Sequence, residues 1–72
     1  MAIIRSLQYV TDKKIPTQSE TAADYTMDDE YFSIWSYTNG DFNRNGECHQ
    51  NMQFNRQQAK ELMTALDKFI NK

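Results

Sequence analysis

Between Arg56 and about Asn71, the apolar residues Ala59, Leu62, Met63, Leu66, Phe69 and Ile70 recur at three- and four-residue steps. That spacing is one stripe of an α-helix. Asn55 stands where an N-cap belongs, and Gln58 three residues later completes a capping-box pattern in which each side chain satisfies the other's free backbone N–H. Gln57, Lys60, Glu61, Thr64, Asp67 and Lys68 fill the opposite face. A helix so divided needs an apolar surface to lie on, and the rest of the chain has to supply it.

Strands are the expected source. Glu30 to Thr38 alternates, with Phe32 and Ile34 on one side and Tyr31, Ser33, Trp35 and Tyr37 on the other. Cys48 to Phe54 alternates as well, placing Cys48, Met52 and Phe54 against His49, Asn51 and Gln53. The two Asn-Gly pairs, Asn39-Gly40 and Asn45-Gly46, bracket a polar stretch between them and read as the turns of a long, exposed hairpin loop. Ile3 to Val10 reads as a further strand, and Ala23 to Met27 has room for a short one. Ile15-Pro16 and the polar residues after it mark a loop within Thr11 to Asp29. The expected architecture is a single α+β domain over 1–72: a curved antiparallel sheet of three to four strands, then one C-terminal amphipathic helix.

Seventy-two residues bury only about 60% of their unfolded surface, so such a domain is marginal alone and gains from pairing with a second copy. No covalent staple is available, because Cys48 is the one cysteine, and Cys48 with His49 supplies too few soft ligands for zinc. A reducing, cytoplasmic setting follows from that cysteine usage. The N-terminus has two strongly apolar residues before Arg5, far short of a signal core or a membrane span. Eight Lys/Arg against ten Asp/Glu give a formal charge of −2, which lacks the electrostatic signature of a nonspecific nucleic-acid binder.

Catalysis is not expected. Both glycines sit in turn signals, so no glycine-rich phosphate loop exists, and no cofactor is implied. Neighbouring residues on a strand point to opposite faces, so Cys48 and His49 diverge; a buried thiol beside a surface imidazole is the plainer reading. Asp24, Asp28, Asp29 and Glu30 form the most acidic part of the chain. They offer a contact surface for a basic partner protein, or simply a solvated loop that keeps a strand edge soluble. No metal site is read from them, since a calcium loop needs a glycine-containing spacing that is missing.

Tyr31, Trp35 and Tyr37 share a strand face that a solvated sheet would fill with polar residues. Two accounts stand: burial against a second copy or against neighbouring strands, or a platform on which bases stack. Arg5, Lys13, Lys14 and Arg44 form a phosphate-binding groove if the fold brings them together, and scattered surface charge if it does not. The expected function is therefore a non-enzymatic, homodimeric module that binds single-stranded nucleic acid through Trp35, Tyr37, Arg5, Lys13, Lys14 and Arg44. The alternative is an interaction module, an inhibitor or regulator, acting through the acidic segment.

The stretch Tyr31-Phe32-Ser33-Ile34-Trp35-Ser36-Tyr37, the loop Thr38 to Glu47, the strand Asn51-Met52-Gln53-Phe54 and the helix capped at Asn55 resemble, in order and pattern, the single-stranded-DNA-binding domain of the transcriptional coactivator positive cofactor four and its small bacterial relatives. The resemblance covers about 40 residues. It implies a curved four-stranded antiparallel sheet backed by the helix, and a homodimer whose paired sheets form channels for single-stranded DNA.

Overall fold

A computed structural model describes residues 2–72. Four strands and one helix follow one another as β1 (Ala2–Ile4), β2 (Ala23–Met27), β3 (Phe32–Ser36), β4 (Gln50–Phe54) and α1 (Arg56–Ile70). The strands form one sheet in the order β1-β4-β3-β2, so the α+β architecture with a C-terminal helix is as the sequence predicts. The sheet is mixed rather than antiparallel. β2–β3 and β3–β4 are antiparallel, whereas β1 runs parallel to β4, with Ala2, Ile3 and Ile4 opposite Met52, Gln53 and Phe54. The first strand also ends at Ile4 rather than Val10, and the chain from Arg5 to Glu20 runs exposed along the surface.

Register sorts the side chains, because residues directly opposite one another share a face. One face gathers the rows Ala2/Met52/Ile34/Tyr25 and Ile4/Phe54/Phe32/Met27, which are apolar, and ends in the smaller, more polar row Gln50/Ser36/Ala23. The other gathers Asn51/Trp35/Asp24 and Ile3/Gln53/Ser33/Thr26, so it is mostly polar with one large ring. The alternation read for β3 and β4 is therefore the observed one. The rings of Tyr25 and Phe32 stack on the apolar face with centroids 5.6 Å apart.

The β2–β3 turn is closed by its own sequence. The Asp28 carboxylate accepts the backbone N–H groups of Glu30 at 2.7 Å and Tyr31 at 2.8 Å, a side-chain substitute for a turn hydrogen bond. In the β3–β4 loop, Gly40 holds a φ of 85°, which a residue without a Cβ adopts freely. Further on, the Asp41 carboxylate accepts from Asn45 N–H at 3.0 Å and Gly46 N–H at 2.9 Å. A Cβ on Gly46 would stand 3.3 Å from Asp41 Oδ2, so a larger residue there would push the Asp41 carboxylate back by a few tenths of an ångström.

The helix begins where its cap predicts, with Asn55 Oδ1 accepting from Gln58 N–H at 2.9 Å. The reciprocal half of the capping box does not form. Gln58 instead donates through Nε2 to the Arg5 carbonyl at 3.1 Å, tying the start of the helix to the end of β1.

Phe54 is the buried apolar side chain of the described residues, at 5% exposure. With Met27 and Phe32 of the sheet and Ala59 of the helix it lines one shallow pocket, which marks where the helix seats. Beyond Leu62 the sheet no longer covers the stripe: Met63, Leu66, Phe69 and Ile70 are all exposed, with Leu62 and Phe69 bordering a groove whose other wall is Leu7, Tyr9 and Val10. The helix thus rests on one corner of the apolar sheet face and does not roof it.

Candidate functional site

The polar sheet face carries the site. Asp24 on β2 lies directly across from Trp35 on β3, and Tyr37 follows two residues later on the same side. Trp35 Nε1–H donates to the Tyr37 hydroxyl at 3.0 Å, and that hydroxyl donates to Asp24 Oδ2 at 2.8 Å. Arg44 completes the chain from the β3–β4 loop. Its Nε–H donates to Asp24 at 2.9 and 3.0 Å, and its Nη1 donates to the Phe42 carbonyl at 3.1 Å.

Arg44 reaches Asp24 from a backbone φ of 61°, a left-handed conformation that costs a residue with a Cβ about 1–2 kcal/mol. The Asp41 bonds to the next two N–H groups, the Phe42 carbonyl and Asp24 together hold it there. Thr21 pins the other end of the network by donating to the carbonyls of Tyr37 at 3.1 Å and Thr38 at 2.9 Å. Four side chains from β2, β3 and the loop are thereby locked into one line of hydrogen bonds. Around them stand Ser33, Asn51 and Gln53, half-buried, and Thr26, exposed, with Gln53 donating to Ser33 Oγ at 3.2 Å.

The structure regroups the residues singled out from sequence. Trp35, Tyr37 and Arg44 come together. Arg5, Lys13 and Lys14 lie in the exposed stretch after β1, and among the described residues no hydrogen bond or ion pair joins them to the aromatic pair. The expected four-residue basic groove is therefore represented at the network by Arg44 alone. The acidic set divides as well: Asp24 serves the network, Asp28 closes a turn, and the Asp29 carbonyl accepts from Arg56 Nη2 at 2.9 Å. Asp24 is the network residue that sequence reasoning placed elsewhere, since its link to Trp35 is a cross-strand relation. Cys48 is exposed, not buried, because β4 starts at Gln50 and leaves the thiol in the loop. Exposed His49 meets Thr38 Oγ1 at 2.6 Å. Among the described residues no three metal-ligating side chains cluster, and no helix is long and apolar enough to cross a membrane.

Three carboxylates are held below the ordinary aspartate value of 3.8: Asp24 by the Tyr37 hydroxyl first and then by Arg44, Asp28 by the Tyr31 and Glu30 N–H groups, and Asp41 by those of Gly46 and Asn45. A carboxyl whose pKa is depressed by folding contributes stability that is present above its unfolded pKa and lost as pH falls through the folded one. Stability from these groups is thus level at neutral pH and declines below about pH 4. Acid titration followed by circular dichroism should show this decline. An Asp41→Asn variant, with one such carboxylate removed, should show a shallower one; an identical acid limb would detach Asp41 from it.

Compared with known proteins, the chain matches no protein-family model, no curated protein and no solved structure. The likeness to the coactivator domain rests on the sequence pattern alone.

Proposed function

We propose that the chain is a non-enzymatic binding module whose polar sheet face takes single-stranded nucleic acid, in the reducing, cytoplasmic setting that an exposed lone cysteine suits. The observation that carries this reading is the Trp35–Tyr37–Asp24–Arg44 network: two rings fixed in a half-exposed pose, with a guanidinium beside them and hydrogen-bonding side chains around them. Aromatic side chains on an open sheet stack bases of any sequence, and a neighbouring cation meets the phosphates. Arg44 keeps N–H donors beyond those it gives to Asp24 and Phe42. Lys13 and Lys14, on the exposed segment, are the next sources of positive charge. The acidic-surface alternative is weaker, because Asp24 and Asp28 are already engaged by the chain's own groups.

Titration of a labelled single-stranded oligonucleotide, by anisotropy at low and moderate ionic strength, tests the reading. Micromolar binding that weakens with salt is expected. A Lys13→Ala/Lys14→Ala variant should flatten the salt dependence, the log–log slope falling by about 0.7 for every phosphate that no longer meets a lysine. Absence of binding at low salt would remove the nucleic-acid reading and leave a protein partner for the acidic turn.

A further inference from the structure

The chain exposes 6472 Å2 of surface. A folded monomer of its 8.5 kDa is expected to expose roughly 4,700 Å2. Its Cα radius of gyration, 13.8 Å, likewise exceeds the roughly 11 Å expected for a compact chain of this length. The excess area, roughly 1,800 Å2, falls within the roughly 1,000–2,500 Å2 that each subunit of an obligate homodimer buries.

Tyr9, Val10 and Ile15 on the extended segment account for part of it. Apolar side chains on the regular elements add to it. On the sheet, Tyr25 is 65% exposed and Met27 63%; on the helix, Met63 is 66% and Ile70 73%. These two surfaces adjoin. Ala59 seats the stripe on the corner formed by Met27, Phe32 and Phe54; from there Leu62 and Phe69 border a groove walled by Leu7, Tyr9 and Val10, while Met63 and Ile70, on the Ala59 side of the helix, remain exposed.

We infer that a second copy of this chain covers this region, the helix stripe of each copy packing against the stripe and apolar sheet face of the other about a two-fold axis. The charges bordering the stripe suit that occupant. Lys60 and Asp67 are seven residues apart, hence on one flank of the helix, next to Met63 and Ile70. Antiparallel helices related by a two-fold axis set each flank against its own copy. Lys60 then faces the partner's Asp67, and Asp67 faces the partner's Lys60. The polar face with Trp35 and Tyr37 points away from this interface, so the inference stands independently of the nucleic-acid reading.

Sedimentation velocity over the micromolar range tests it, with circular dichroism to report folding. The full chain should sediment as a dimer at tens of micromolar, and Met63→Glu and Ile70→Glu should each weaken the dimer by about a hundred-fold or more, since charge is forced into an apolar interface. Thr64→Glu, on the opposite side of the helix, should leave it intact. A Lys60→Glu variant should weaken the dimer, and Lys60→Glu/Asp67→Lys should recover it, which a misfolded variant would not do. A folded parent chain that stays monomeric overturns the inference. So does a dimer indifferent to both stripe substitutions, or one that Thr64→Glu disrupts equally.

Discussion

Truncating Phe54 to alanine should remove roughly half of the chain's stability at room temperature. Phe54 ends β4, pairs across the sheet with Phe32 and across the parallel ladder with Ile4, and immediately precedes the helix cap. It is where three strands and the helix meet. Removing a buried phenylalanine costs about 3–5 kcal/mol, and a chain of this length has a total stability of only about 4–11 kcal/mol. No other buried side chain among the described residues shares the load, so the cavity cannot be filled by a neighbouring core. Urea denaturation followed by circular dichroism should therefore give a midpoint about half that of the parent for Phe54→Ala. Phe54→Leu, which keeps most of the volume, should lose less than about 1.5 kcal/mol and unfold sharply. An alanine variant within about 1 kcal/mol of the parent, well short of the usual cost, would show that the sheet corner is not the core.

The same corner explains which parts of the fold were legible. The helix could be read because both its signals are local: the stripe from Ala59 to Ile70, and a cap three residues from its partner. β3 and β4 could be read from alternation. β1 could not be bounded, since Ile3 to Val10 carries apolar residues on both faces with nothing local to end it, but β4 is a five-residue strand whose last three residues pair with Ala2–Ile4. Beyond that ladder, alternation has nothing to pair with. Nor does alternation record direction, which is why a parallel neighbour looked like an antiparallel one.

The faces of β3 were assigned correctly, and the helix does seat against Phe32, but only at the corner that Phe32 shares with Met27 and Phe54. Alternation alone leaves Tyr31, Trp35 and Tyr37 on a face in want of cover. In the structure the rings of Trp35 and Tyr37 are half-buried, with their polar atoms satisfied by Asp24 and each other. The uncovered apolar surface lies on the Tyr25–Met27 side and along the helix. Two non-local facts decide this: the β2 register, which brings Asp24 opposite Trp35, and the seating of the helix at a corner. Neither leaves a trace in composition or period. The role of Arg44 was equally hidden, for it depends on a left-handed backbone in a loop whose Asp41 bonds span four and five residues.

Replacing Trp35 by alanine should weaken oligonucleotide binding by roughly 5- to 150-fold, the range corresponding to about 1–3 kcal/mol for one stacked base. Each group of the network has a separate task. The indole ring supplies the flat surface, the Tyr37 hydroxyl holds the indole N–H and so fixes its orientation, and Asp24 with Arg44 fixes the hydroxyl. Trp35→Phe keeps a ring but loses the N–H tether, and should fall between parent and alanine. Tyr37→Phe keeps both rings and removes the tether from the other side, so its effect should be smaller than that of Trp35→Ala. Salt separates stacking from charge: Trp35→Ala should shift affinity by a similar factor at every ionic strength, whereas the Lys13/Lys14 variant should change the slope. A Trp35→Ala chain that keeps its fold by circular dichroism and binds as tightly as the parent would take the indole out of the interface. Retained affinity in that variant, with a lysine-dependent slope, would mean that the network shapes the sheet edge while the basic segment alone holds the strand.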